Sequence, residues 1–392
     1  MSLNYQEVRE QVKKLGENAQ KRRSQLESVM KLARASLDSL AGEIEFLRQK
    51  VGLVVNNYDP ALRCALPVDE ALDASFPTPD LPTPASILAA DGSQINLDRH
   101  AEVAYCLINV GAIQMFVGSA EQPRLSVTSQ LFYDEELYTI TDNSLALRRD
   151  LHERQILARL ANGAQTPVFT FTDGPMELWG GKETDGAAAT EYQESLDEYL
   201  RCLSELHQLG VATGGYVDKP AASPVIRLLE IAITPETQLG EIRQQHPLRG
   251  ATDFAIYQGL LAPGERSAVF AIQSQSGRSY KGDLALHFFY LNVGRAGKPW
   301  LARVEIPAWV AQKPTLLNGL HAVLVDQCHI LGTRPYPYLL HRAHETALVT
   351  LQDRDQVTQM IALELRRQGI PIQGGSYKQA NKDLPGRTRY QP

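Results

Sequence analysis

The chain has 392 residues, of which 43% are apolar and 21% charged, with a formal net charge of −6. That balance suits a soluble protein with one large domain or two ordinary ones, and excludes a chain without a core. It also excludes a surface that coats nucleic acid broadly, although a local basic groove stays open because the field in a cleft depends on nearby charges. The four cysteines, Cys64, Cys106, Cys202 and Cys328, are scattered without a C-x-x-C pair, which argues against a disulfide framework or a zinc site and fits a reducing cytoplasm. The opening residues lack the apolar core of a signal peptide and no run reaches membrane-spanning length, so a cytoplasmic protein without membrane contact is expected.

Residues 2–57 predict a long N-terminal helical arm. From Leu26 the apolar positions Leu26, Met30, Ala33, Leu37, Leu40, Ile44, Leu47 and Val51 alternate by four and three. Such a heptad seam fits either a helix packed on its own domain or a coiled-coil arm between two copies. Residues 58–85 carry several prolines and read as a linker over the surface. A domain over residues 86–370 follows. Its predicted strands are 86–91, 101–111, 167–173, 211–217, 267–274, 286–293 and 300–306; its predicted helices are 143–162, 188–209, 222–232, 315–331, 338–351 and 355–368. Strands interleaved with helices make an α/β layer whose site belongs at the strand ends. Residues 371–392 are polar and basic, and read as a loosely ordered tail.

Two of the predicted strands finish on Asp-Gly, at Asp91-Gly92 and at Asp173-Gly174. One such pair is ordinary turn chemistry. Two, each after an apolar run, bring carboxylates to one rim if the strands are parallel neighbours, and such carboxylates repel unless a cation lies between them. Glu153 lies beside the apolar face formed by Leu147, Leu151, Ile156, Leu157 and Leu160; the competing reading is a solvent-facing Glu paired with Arg149. Together Asp91, Glu153 and Asp173 form an oxygen-ligand set for Mn²⁺ or Mg²⁺. Further on, Tyr336 precedes a Pro-limited turn, and His344 falls on the second turn of the next helix, where it would ligate a metal or hold a phosphate or water. His341 is the candidate for a packed histidine, and His246, His287, His321 and His329 have no partner at ligand spacing. The stretch "LWGGKE" fails as a phosphate-binding loop, because Lys182 is followed by Glu and Met176 stands where the first glycine belongs. Neither G-x-S-x-G nor H-E-x-x-H occurs.

The succession "ADGS", "RRDLHERQIL", "FTDGP", "GYVDK" and "YPYLLHRAH", over roughly residues 86–352, resembles the NurA nuclease family, whose members process DNA ends with the HerA ATPase. The resemblance implies an RNase H-like mixed sheet flanked by helices and a homodimer. It further implies Mn²⁺-dependent cleavage of single-stranded DNA and DNA ends, by 5′→3′ exonuclease and single-strand endonuclease activity, in double-strand break repair with a HerA-like hexameric ATPase. By motif, Asp91, Glu153 and Asp173 match the metal-binding acids, and Tyr336 and His344 match the Tyr and His of the C-terminal motif. Lys219 is a looser match near the DNA, with Arg227 and Lys281 as weaker candidates for backbone contacts. The implied chemistry is coherent: carboxylate-held ions activate water, His344 binds a second ion or orients that water, and Tyr336 stacks on or hydrogen-bonds the strand. A non-catalytic DNA-binding subunit docked to a motor ATPase is the alternative, disfavoured by the presence of every matched acid. A haloacid-dehalogenase-type phosphatase needs a second Asp two residues on, where Ser93 and Pro175 stand.

Overall fold

The computed structural model describes residues 3–98, 103–133, 137, 139–180 and 186–370. In chain order the elements are α1 (Tyr5–Leu40), α2 (Ile44–Asn57), β1 (Cys64–Pro67), β2 (Ser75–Phe76), β3 (Ala85–Ile95), β4 (Cys106–Val117), β5 (Arg124–Phe132), α3 (Asp142–Ala161), β6 (Val168–Asp173), α4 (Ala187–Gln208) and β7 (Ala212–Asp218). There follow α5 (Pro224–Ile233), α6 (Asp253–Leu260), β8 (Arg266–Ser267), β9 (Phe270–Gln273), β10 (Leu286–Asn292), β11 (Leu301–Pro307), α7 (Ala308–Ala311), α8 (Pro314–Ile330), α9 (Tyr338–Ala347) and α10 (Leu351–Arg367). This is the expected mixed sheet flanked by helices. The domain expected over 86–370 is divided, because the chain forms two units: Met1–Leu81, Gly174–Glu177 and Gly214–Tyr336 in the first, and Pro82–Asp173, Leu178–Thr213 and Pro337 onward in the second. The basic tail at 371–392 lies outside the described residues. Among the described residues, no helix is long and apolar enough to cross a membrane.

In the first unit the strands run β1-β9-β10-β11-β7, each pair antiparallel. The stretch expected as a linker is part of this unit. β1 pairs with β9, and Leu62, Cys64, Ala65 and Leu72 are buried; Pro67 sits at the end of an edge strand, where a missing N–H does no harm. The N-terminal arm is two helices, broken at Ala41–Glu43. Ala33 and Leu37 of α1 and Leu47 and Val51 of α2 share one core with Val225, Leu228 and Leu229 of α5, so this part of the seam packs on its own unit. Leu26 is 45% exposed, and the seam does not reach the core there.

The N-terminus of α5 is closed by a buried acid. Asp253 accepts the backbone N–H groups of Val225 and Ile226 at 2.8 and 2.7 Å and the Tyr290 hydroxyl at 2.6 Å. Burial pushes its carboxyl up to about 6, against the pull of those three hydrogen bonds. Folding therefore tightens proton binding here. This contribution to stability is full below about pH 4 and is lost as pH rises through about 6, a swing on the order of 3 kcal/mol.

The second unit holds the strand order β6-β3-β4-β5, with β6 parallel to β3 and the other pairs antiparallel. β3 does not end at Asp91. Its parallel ladder with β6 stops at Ala90↔Thr172, while its antiparallel ladder with β4 continues to Ile95↔Leu107, and it is this second ladder that carries the strand past the acid. β4 begins at Cys106, later than the predicted 101. β5 was not expected: its alternation of Leu125, Val127 and Leu131 with polar residues faces water on the edge of the sheet. Side chains alternate between the faces of β3. The Cβ position of Gly92 points at Arg149 and Glu153 of α3, whereas Ser93 Oγ donates to the Ala347 carbonyl of α9. On the neighbouring strand, a Cβ on Gly111 would lie 2.5 Å from Ala347 N, so α9 packs directly on backbone. Only glycine allows that approach.

Asp253→Asn is expected to flatten the pH dependence of the melting temperature between about pH 4 and pH 7 relative to the unsubstituted protein; parallel curves would refute the assignment.

Candidate active site

α3 starts at a capping box in which Thr141 accepts Ser144 N and the Ser144 hydroxyl accepts Thr141 N. Its buried stripe is Leu147, Leu151, Arg154, Ala158 and Ala161, joined by Leu145, Glu153, Ile156 and Leu157. Glu153 is only 7% exposed. The Arg149 pairing exists, with Nε 3.8 Å from Glu153 Oε1, but the solvent-facing reading of that pair is wrong because α3 turns Glu153 against β3. No described residue gives Glu153 a hydrogen bond. Asp150 is the acid that the sequence reading passed over. It stands one turn earlier, held by Arg149 Nη2 at 2.8 Å, and the three-residue spacing D-L-H-E that puts both carboxylates on one face was the available signal.

Asp91 is oriented at both oxygens. Oδ1 accepts Gly92 N at 2.9 Å, and Oδ2 lies 2.7 Å from His344 Nδ1. The His344 ring is 61% exposed. α9 is tied down at its last turn, where Asn109 Nδ2 donates to the Ala347 carbonyl at 2.8 Å. That bond satisfies one of the open carbonyls at a helix end. Asp173 closes β6, one residue beyond the Ala90↔Thr172 pair, and is exposed.

The electrostatics single out Glu153. Burial raises its carboxyl well above the ordinary range, and the Asp150 and Asp91 carboxylates push it further, against Arg149 and Arg154. Asp150 is also raised, first by burial, with Arg149 opposing and Asp91 reinforcing. Hard oxygen donors that are buried together and repel one another are chemically matched to a divalent cation. The expected convergence of all three acids is not reached: among the described residues no three His, Cys, Asp or Glu side chains stand close enough to share one ion. Glu153 and Asp150 share a face of α3 within electrostatic reach of Asp91, and His344 lies on Asp91.

The remaining candidates belong to the first unit. Tyr336 packs edge-on against buried Tyr216, with ring centroids 5.6 Å apart. Lys219, at the exposed end of β7 with φ 44°, holds its ammonium 3.8 Å from the Trp300 ring centre, while Trp300 Nε1 donates to Asp218 at 2.7 Å. Lys281 is exposed. Arg227 needs correcting as a DNA contact. Its side chain is 14% exposed and its Nη1 is spent on Glu230 and on the Gln245 carbonyl, at 2.8 and 3.0 Å. His341, expected to be packed, is exposed and pairs with Glu345 at 3.4 Å, because α9 turns its other face to the sheet.

The family model for the NurA domain matches residues 85–349. Among solved structures, the NurA nuclease from Sulfolobus solfataricus is 11% identical with a TM-score of 0.43, covering 84% of this chain and 94% of its own. A NurA structure with manganese is 9% identical with a TM-score of 0.35, covering 87% and 98%. A type 1 RNase H with the type 2 active-site motif is 21% identical with a TM-score of 0.24, covering 37% and 67%. No curated protein sequence matches.

At Gly92 an added Cβ would stand 2.5 Å from Arg149 Cγ and 2.9 Å from Glu153 Oε1, so both side chains must shift to admit it. Gly92→Ala is therefore expected to move Glu153 and to lower Mn²⁺ affinity about tenfold or more in calorimetric titration of the folded variant. An unchanged affinity would show that Glu153 is not part of an ion site.

Proposed function

Because the chain belongs to the NurA family and is thus a nuclease, we propose that it cleaves single-stranded DNA and DNA ends in a Mn²⁺-dependent reaction, with Mg²⁺ as the other admissible ion. The cuts proposed are 5′→3′ exonucleolytic and single-strand endonucleolytic, in the repair of double-strand breaks. One observation carries the metal dependence: Glu153 is buried beside the Asp91 and Asp150 carboxylates with no hydrogen-bond donor of its own. Asp91 and Glu153 would hold the cation; Asp173, at the end of the neighbouring strand, is a third proposed ligand on the family motif alone. When bound, it supplies a Lewis acid for the phosphoryl oxygens and lowers the pKa of water.

The chain's own residues do the rest. Gly92 N and His344 fix the Asp91 carboxylate, so it needs little reorganisation to take up a ligand. His344 gives Nδ1 to Asp91 and turns a largely exposed ring to solvent, where Nε2 can hold a water or a phosphate oxygen. Arg149, held between Asp150 and Glu153, places a guanidinium within the acidic group, where it favours an approaching phosphodiester. In the first unit, Tyr336 and Lys219 are proposed contacts for the DNA strand. Homodimeric assembly, partnership with a HerA-like hexameric ATPase and a cytoplasmic location complete the proposal; they rest on the family alone.

Labelled single-stranded DNA incubated with the purified protein and Mn²⁺ is expected to be degraded. Asp91→Ala should slow this more than about 100-fold with the melting temperature preserved, since several kcal/mol of charge stabilisation would be lost. Undiminished cleavage by the variant, or none by the unsubstituted protein with either ion, overturns the proposal.

A further inference from the structure

Arg154 follows Glu153 in the chain and is 1% exposed. It stands in the buried stripe of α3, where Leu or Met would pack without difficulty. Its Nη1 donates to Thr213 Oγ1, and its Nη2 donates to Thr172 Oγ1 and to the Tyr199 hydroxyl, each at 3.0 Å. The guanidinium carbon lies 5.2 Å from the Tyr199 ring centre, and Thr213 also takes the Thr170 hydroxyl at 2.7 Å. Every hydrogen-bond partner is neutral. Arg154 forms no ion pair with any described residue, and its Nε has no hydrogen-bond partner among the described residues.

A buried cation without an ion-paired anion is costly, and the carboxylates that feel its charge are Glu153 and Asp150, so folding alone does not account for this residue. Its contacts do. Thr172 is bonded in sequence to Asp173, and Arg154 to Glu153. The fork of the guanidinium thus ties the helix that carries one acid to the strand end that carries the other, and its charge reaches Glu153. We propose that Arg154 is a positioning residue, which fixes the α3 turn that carries Glu153 against the end of β6 and so sets Glu153 for a divalent cation. The inference rests on the nuclease reading above and deepens it.

The test combines Mn²⁺ titration calorimetry with melting of the metal-free, full-length protein. Arg154→Met is expected to lose about 10- to 100-fold in Mn²⁺ affinity, the range found when groups that orient metal ligands are removed. Its metal-free melting temperature should hold or rise, because an apolar side chain replaces an unpaired charge. Arg154→Lys keeps the charge without the fork and should fall between the two. Should Arg154→Met fail to fold, Thr172→Val decides, with a several-fold loss of affinity expected at an unchanged melting temperature. Native affinity in the folded variant, or a loss of affinity that only follows a loss of stability, overturns the assignment. If the unsubstituted protein itself binds neither Mn²⁺ nor Mg²⁺, the metal-dependent reading falls first and this assignment with it.

Discussion

The second unit is arranged around one electrostatic conflict: a carboxyl group drawn out of water and set beside two others. Glu153 has no hydrogen-bond donor among the described residues, and its carboxyl is driven upward by burial and by Asp150 and Asp91. Such a group would ordinarily swing into solvent. The capping box fixes where α3 begins, the apolar stripe fixes its rotation, and the bare backbone at Gly92 leaves room for the carboxyl against β3. Each of these features helps keep the acid where burial disfavours it.

The contrast with Asp253 in the first unit makes the point by comparison. That acid is equally buried, yet it receives two helix N–H groups and a tyrosine hydroxyl. It is a structural acid, whose neighbours offset part of the upward push of burial. Glu153 has the burial without the donors. Where burial alone is the clue, the two look alike; the donor inventory separates a cap from a site that waits for an external charge.

Much of this was legible in the sequence, and what was not has physical causes. Asp91 and Glu153 stood out through an acid ending an apolar run and an acid beside an apolar face, and the two carboxyl groups lie within electrostatic reach of each other. The continuation of β3 past Asp91 could not be read, because it depends on the antiparallel partner β4, a nonlocal pairing. Proline misled at residues 58–85: it marks edges as well as linkers, and Leu62, Cys64 and Ala65 between the prolines were the better guide. The heptad seam was open between two readings, and the stretch from Ala33 onward packs within its own unit. Arg154 was visible only as a charge interrupting an apolar stripe. Its meaning lies in Thr172, Thr213 and Tyr199, which no spacing rule connects to it.

Gly92 and Gly111 sit on adjacent strands and open opposite faces of the β3–β4 ladder, one toward α3 and the other toward α9. Most layered proteins interpose a cushion of side chains between helix and sheet, which absorbs small movements of either layer. Here that cushion is missing at Gly111, where the α9 backbone meets the strand directly, while over Gly92 the Arg149 and Glu153 side chains of α3 fill the space. A displacement of α9 is therefore handed straight to the main chain of β4 opposite the acid, and sequence change there is confined to residues that leave Gly111 alone.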